Sequence, residues 1–448
     1  SYLHRLCWLV TGSFGKKGSQ YIPNTMRSLM GSNASLAKRS PVVGAPLLGG
    51  MVPCNVIAEE ILSDHPERYR AMLIESANPA HSLADTKSFV KAMAALELTV
   101  VIDVAMTETA RNADYVLPAK TQYEKAEATF FNFEHPANYF QLRQPILEPP
   151  PDANVLSEAE IHARLVEAIG EMPAEVDELK NIVRSDGLLA LTKAFAQFSR
   201  DNPMINRLAP VALYRILENI LPSGSETAAT LLPVTLFVAQ NEPACLERAG
   251  ISGRDTEEIA VSLFNRIISS PHGFVYSIDA EHSSWDRVRT GNGLINATIP
   301  VLLPELHALS DGPTELTSEQ FPFILSAGER RPYTANTILR GKDWRKKDSE
   351  GTLRISPEDA SDLGVDSGDS SILTTASGSV NVVVEISTRM ARGHISLPNG
   401  FGMDSATGSD SFKRTGIATN DLTAAADRDF LAGTPRHKQV PAHLSQAL

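Results

Sequence analysis

Residues Arg70–Pro118 read RAMLIESANPAHSLADTKSFVKAMAALELTVVIDVAMTETARNADYVLP, and their alternation of apolar runs with breakers decides the fold. Ala71-Met72-Leu73-Ile74 is a short apolar run that ends in Glu75-Ser76-Ala77-Asn78-Pro79, a loop by its Asn-Pro signal. Asp85 is placed to cap a helix in which Phe89, Val90, Met93 and Leu96 recur at helical spacing. Thr99-Val100-Val101-Ile102 is β-branched and apolar, which predicts a buried strand ended by Asp103. A short helix through Thr109-Ala110-Arg111 leads to Tyr115-Val116-Leu117 and the breaker Pro118. Strand, helix, strand, helix, strand predicts a parallel sheet. In such sheets ligands sit beyond the carboxyl ends of the strands, where Asn78 and Asp103 both fall.

On the carboxyl side, Pro149-Pro150-Pro151 marks a boundary, and the texture turns helical. Glu158–Ile169 carries Ile161, Leu165, Val166 and Ile169 on one stripe, and further helices are expected near 186–199, 210–220 and 255–269. From Phe321 the pattern changes again. Phe321–Leu325 and Leu353–Ile355 read as strands, and Ser356 with Pro357 opens a short helix. Ile372–Ala376 and Val380–Ile386 flank the turn Ser377-Gly378, and Arg392-Gly393 precedes the strand His394–Leu397. Many short strands with glycine at the corners predict a closed barrel. The expected domains are an α/β region over 1–150, a mainly helical continuation over 151–315 and a barrel over 316–448.

The chain has 448 residues, 42% of them hydrophobic and 21% charged, which excludes wholesale disorder, collagen-like repeats and coiled coil. Lys and Arg total 41 against 53 Asp and Glu, so the formal charge is −12 and nothing global offers nucleic acid a basic face. Cys7, Cys54 and Cys245 lie far apart with no C-x-x-C, so neither a disulfide framework nor a thiolate zinc site is readable. Three thiolates do not make a four-cysteine iron–sulfur site, and no H-E-x-x-H occurs among the histidines, so no metal site is expected from these residues. Ser40–Ala58 carries no charge, but Pro41, Pro46, Pro53 and its glycines break any spanning helix; a buried or ligand-hugging loop is expected. Leu6–Val10 is too short for a signal peptide, and the chain reads as cytoplasmic.

Several candidates for chemistry keep two readings. Gly12-x-x-Gly15-x-x-Gly18 could cradle a phosphate or be a plain glycine loop; no Walker lysine, NAD fingerprint or G-x-S-x-G accompanies it. Asp103 could accept hydrogen bonds from a guanine or ribose edge, or cap the following helix. Arg330 and Arg331 could hold a pyrophosphate, or be a solvated pair. Glu124 and Glu127 read as ordinary surface glutamates.

In combination these pieces are more specific. Asn78-Pro79-Ala80-His81-Ser82, Val100–Asp103, Met106–Ala110 and Ala113–Pro118 closely resemble the molybdopterin oxidoreductases, the dimethyl sulfoxide reductase superfamily that includes formate dehydrogenases and nitrate reductases. Ser356–Ala360, Leu363-Gly364-Val365, Gly368-Asp369, Gly378 and Gly393-His394-Ile395 look like that family's dinucleotide-binding barrel, and Gly416, Asn420–Thr423 and Pro435–Lys438 like its closing segment. Thr11–Gly18 resembles the glycine-rich loop that precedes these parts.

The resemblance implies an α/β dinucleotide-binding unit with a parallel sheet, a helical middle region and a carboxyl-terminal double-psi β-barrel of six strands. It implies a molybdenum bis(molybdopterin guanine dinucleotide) cofactor. By motif, Asn78, Asp103 and Thr107 contact one tail, and Gly328, Glu329, Arg330, Tyr333, Thr334, Asn399, Asn420 and Lys438 contact the other tail or the pterin. Neither the cysteine-rich segment of the family nor its metal-ligating residue is visible, since Cys7 and Cys54 lack that context. The chain is therefore expected to be the carboxyl-terminal, cofactor-cradling part of a two-electron oxidoreductase, nearest the formate dehydrogenases. A 4Fe–4S cluster follows only if an upstream segment exists. Catalytic residues are not assigned; a small-molecule substrate and an electron-transfer partner protein are implied, without nucleic acid or a membrane span. The alternative is a non-catalytic scaffold subunit that keeps the fold and has lost the cofactor.

Overall fold

The computed structural model describes residues 2–26, 38–130, 132–202, 205, 207–309, 315–331, 340, 350–406 and 412–447. The chain groups into two compact units that alternate in sequence: Ser1–Leu29 with Pro118–Ala308, and Met30–Leu117 with Leu309–Leu448.

In the second unit, β1 (Ala71–Glu75) and β2 (Leu98–Asp103) pair in parallel from Ala71↔Leu98 to Glu75↔Ile102. β3 (Tyr115–Pro118) follows β2 in a three-stranded parallel sheet of order β1-β2-β3. Val101 and Ile102 are fully buried, as a β-branched run packed on both faces should be. The crossover is helix Thr86–Ala94, which buries Phe89, Ala92 and Met93 against Ile61 and Ile74. Asp85 caps it by accepting from Ser88 N at 3.1 Å and Ser88 Oγ at 2.7 Å. The uncharged Ser40–Ala58 stretch is pinned by a buried carboxylate: Val42 N and Val43 N each donate to Glu60 at 2.9 Å.

The carboxyl-terminal strands of this unit close on themselves. β8 (Phe323–Glu329), β9 (Leu353–Ile355), β10 (Ser370–Thr375), β11 (Gly378–Ile386), β12 (His394–Pro398) and β15 (Val440–Gln446) form a barrel of order β10-β11-β9-β12-β8-β15. The β8–β12 and β9–β11 pairs are parallel and the remaining pairings antiparallel. Closure removes free edges. The barrel is filled by Leu325, Leu353, Ile355, Leu373, Ile395 and Ala442, all fully buried. Ser356 caps helix Pro357–Leu363 by accepting from Asp359 N at 3.0 Å, and Gly364 ends it at φ 65°. A separate hairpin joins β13 (Met403–Ala406) to β14 (Phe412–Thr415).

The first unit is mainly helical. Its longest helix, Val176–Asp201, is broken by the non-helical Gly187, and Ala209–Leu217 and Thr256–Ser269 lie where the periodicity places helices. Leu232–Asn241 and Pro243–Arg248 are further helices. Two small sheets, β4 (Glu127–Ala128) with β6 (Leu142–Arg143) and β5 (Ala137–Phe140) with β7 (Phe274–Ile278), complete it. Its core gathers Leu179, Leu191, Leu213, Leu217, Leu246 and Phe264.

Candidate functional site

Beyond the last residue of β1, Ser76 takes φ 51°, a left-handed conformation that turns the chain off the sheet while Ser76 N donates to Ile102 O at 3.0 Å. Left-handed backbone costs an L-residue about 1–2 kcal/mol, most where the side chain is β-branched. Ser76→Val should therefore lose about 1–2 kcal/mol of unfolding free energy in urea, whereas Ser76→Gly should stay within about 0.5 kcal/mol of wild type. Equal stability of the two variants would contradict the turn.

The following Asn78 ties the β1 and β2 ends together. Its Oδ1 accepts from Thr109 N at 3.1 Å and Thr109 Oγ1 at 2.7 Å, and its Nδ2 donates to Glu108 Oε2 at 2.6 Å. Thr109 Oγ1 in turn accepts from Ala80 N at 3.0 Å. At the end of β2, Asp103 Oδ1 accepts from Val104 N at 2.7 Å and Ala105 N at 3.3 Å, folding the chain into a local turn. The short helical turn that follows is capped by Thr107, whose Oγ1 accepts from Ala110 N at 3.1 Å. Asp103 Oδ2 accepts no hydrogen bond from any described residue.

These strand ends open into a cavity of about 740 Å³ bounded on its other side by barrel residues of the same unit. Cofactor pockets run from about 300 to 1,000 Å³. Asn78, Asp103, Thr107, Gly328, Arg330, Asn399 and Asn420 all line it. On the barrel side, Gly328 in β8 adopts φ 98°, and its carbonyl accepts from Lys438 Nζ at 2.7 Å. Burial lowers the Lys438 ammonium, with Glu329 opposing and Arg330 reinforcing the effect. Asn399 Oδ1 is buried without a partner among the described residues. Asn420 crosses to the other wall, donating from Nδ2 to His81 O at 2.8 Å and accepting from Thr423 Oγ1 at 3.2 Å.

Glu329 is held apart from the cavity. Its carboxylate accepts from Arg354 at 2.6 Å, from Arg331 at 3.1 Å and from Ser396 Oγ at 3.1 Å within the barrel wall. The neighbouring arginines thus divide: Arg331 is buried in that network, while Arg330 is exposed at the cavity and bonded to no described residue. Tyr333 and Thr334 lie outside the described residues. The glycine loop belongs to the helical unit. There a Cβ on Gly15 would lie 2.4 Å from Trp285 Nε1, so packing accounts for that glycine.

Three residues of this region were not foreseen. Glu108 accepts from Arg340 at 2.9 and 3.0 Å, from Asp404 N at 2.7 Å and from Asn78. Burial pushes its carboxyl up, but the bonds from Arg340, Asp404 N and Asn78 outweigh that and hold it well below the usual carboxylate range. His81 lines the cavity at 5% exposure. His437 also lines it, its Nδ1 3.0 Å from Pro435 O. All three lie inside the segments that carry the resemblance, but nothing in those segments marks these side chains for a role. Among the described residues no group of three or more His, Cys, Asp or Glu side chains is placed to hold a metal ion, and no helix is long and apolar enough to cross a membrane.

A family model described as Molybdopterin oxidoreductase matches residues 11–158, and one described as Molydopterin dinucleotide binding domain matches 323–441. The chain belongs to the molybdopterin oxidoreductases. Its relatives in that family include a trimethylamine-N-oxide reductase of Haemophilus influenzae, 23% identical over 338 residues, covering 75% of this chain and 36% of the relative. A formate dehydrogenase alpha subunit of Methanocaldococcus jannaschii is 35% identical over 111 residues, 25% of this chain and 16% of the relative. The molybdopterin-containing subunit of a thiosulfate reductase from Salmonella typhimurium is 33% identical over 102 residues, 22% of this chain and 13% of the relative. These matches thus span between 13% and 36% of those molybdopterin enzymes. The acetylene hydratase of Pelobacter acetylenicus shares the fold, with TM-score 0.51, 15% identity, and coverage of 89% of this chain and 47% of that one. The two matched domains indicate a molybdenum–molybdopterin cofactor.

Proposed function

We propose that the cavity holds a guanine dinucleotide tail of a molybdenum bis(molybdopterin guanine dinucleotide) cofactor, and that the complete protein oxidises or reduces a small substrate by two electrons, as a formate dehydrogenase does. The observation that carries this is a set of unmet polar groups around one cavity: Asn399 Oδ1 and Asp103 Oδ2 accept from no described residue, and the Arg330 guanidinium pairs with none. Such groups fit a ligand that presents N–H donors at one point and oxyanions at another. The same observation disfavours the cofactor-free scaffold reading, in which a buried orphan acceptor would cost about 1–3 kcal/mol with nothing to offset it.

When bound, the cofactor supplies the two-electron redox chemistry and the protein its position and electrostatics. Guanine presents adjacent N1 and N2 donors, and Asp103 has one oxygen fixed by Val104 N and the other open to receive them. Lys438 fixes the Gly328 carbonyl, and the absence of a side chain there lets a ligand approach the backbone of β8. Arg330 is positioned for a phosphate. An electron-transfer partner, a cytoplasmic location and, only if an upstream segment exists, a 4Fe–4S cluster complete the proposal.

Purified from a host that makes the cofactor, the complete protein should release guanosine monophosphate on acid treatment in proportion to its molybdenum. Another nucleotide, or none, would sink the guanine assignment. Asp103→Ala should lower cofactor retention about ten- to a hundredfold, because desolvated charge-assisted bonds are worth about 1.5–3 kcal/mol. Full molybdenum occupancy with a lowered melting point would show that Asp103 only folds its local turn.

A further inference from the structure

His81 is buried and lines the cavity, yet its ring makes no hydrogen bond or ion pair to any described residue; its backbone alone is engaged, the N–H donating to Asn78 O and the carbonyl accepting from Asn420 Nδ2. A neutral imidazole carries one N–H donor and one ring-nitrogen acceptor, and at the cavity wall these stay open to the polar atoms of a ligand. Four charged groups act on the ring. Glu108, in the turn after β2, and Asp421 favour its charged form, whereas Arg340 and Arg414 of β14 oppose it. Burial outweighs each of them and keeps the imidazole below its ordinary value, so it is neutral at pH 7.

The geometry points to His81 as a hydrogen-bond donor to a phosphate oxygen of the nucleotide tail, an inference that rests on the reading of this cavity as a nucleotide site. Arg330, bonded to no described residue, lines the same cavity and suits an oxyanion, whereas Arg340 is already paired with Glu108. A phosphate oxygen arriving against the ring adds the negative charge that Glu108 and Asp421 alone do not supply in sufficient measure. Binding should then draw a proton onto His81. By linkage, affinity strengthens as pH falls through the raised value of the bound state and weakens above it.

Calorimetric titration of the purified 448-residue chain with guanosine diphosphate, in buffers of differing ionisation heat, tests this. Wild type should bind about tenfold more tightly near pH 5.5 than near pH 7.5, with net proton uptake. His81→Gln, which keeps a neutral donor, should abolish the uptake and lose about tenfold near pH 5.5 while staying within about threefold near pH 7.5. Adenosine diphosphate should show the same uptake and guanosine none, because the contact reads phosphate. Absence of uptake by wild type, or its persistence in His81→Gln, overturns the inference whatever the variant's stability. Uptake with the adenine but not the guanine nucleotide would leave His81 in place and remove only the guanine assignment. Failure of both diphosphates to bind wild type at any pH would overturn the nucleotide reading and the inference with it.

Discussion

Glu108→Ala should destabilise the βαβ and barrel unit by about 3 kcal/mol, because it removes the partly buried carboxylate that the Arg340 guanidinium, the Asn78 amide and the Asp404 N–H share. Arg340 donates to both Glu108 oxygens, Asn78 donates to one and the Asp404 backbone N–H to the other, all in a carboxylate whose side chain is 14% exposed. The loss reaches the cavity directly, since Asn78 is the residue that joins the turns after β1 and β2. Hydrogen exchange should locate it: amides of Leu98–Asp103 lose protection, while those of helix Thr256–Ser269 in the other unit keep theirs. Unchanged exchange in β2 would refute the role. The pH dependence has a fixed sign. The folded carboxyl sits below its unfolded value of about 4.3, so its contribution is complete above that pH and fades as acid carries the protein down toward the folded value. Glu108→Gln should therefore flatten the acid limb of the stability profile below about pH 4.3 relative to wild type.

The parts of this molecule that the sequence announces are those set by neighbours in the chain. Val100–Ile102 reads as a buried strand because β-branching and apolarity act locally, and Ser356, Pro357 and Gly364 delimit their helix by capping chemistry within one turn. Helix Leu232–Asn241 escaped notice for the converse reason: a helix apolar on several sides presents no stripe. In the cavity, Asp103, Asn399 and Asn420 come from motif segments and do converge. The separation of Arg330 from Arg331 was readable in principle, since alternation carried past the end of β8 sends Glu329 and Arg331 to one side and Arg330 to the other. Glu108 and His81 were not readable. Their roles depend on Arg340, Asp404, Arg414 and Asp421, residues brought beside them only by the fold, and no local pattern encodes such a partner.

Gly402→Ala should cost about 3–5 kcal/mol or prevent folding of this unit, which makes it the more severe of the two substitutions. Gly402 sits at φ 75°, and a Cβ there would lie 2.0 Å from Ala418 N and 2.6 Å from Ala418 Cα, backbone atoms that no rotamer change can move aside. The approach is part of the architecture: Gly402 N donates to Thr415 O at 2.8 Å and its carbonyl accepts from Arg414 Nε at 2.7 Å, pressing the loop that carries Asn399 against the segment that leads to Asn420. Gly364 provides the control. It is also left-handed, at φ 65°, but a Cβ there meets only the Gln446 amide at 3.4 Å, so Gly364→Ala should cost about 1–2 kcal/mol, the conformational part alone. The difference between the two variants in urea unfolding measures the backbone contact itself, and equal losses would show that left-handed strain explains both. A soluble Gly402→Ala protein that also binds guanosine diphosphate with wild-type affinity would mean that the Asn399 loop and the Asn420 segment tolerate separation. In that case the cavity's polar groups could not depend on this contact for their placement.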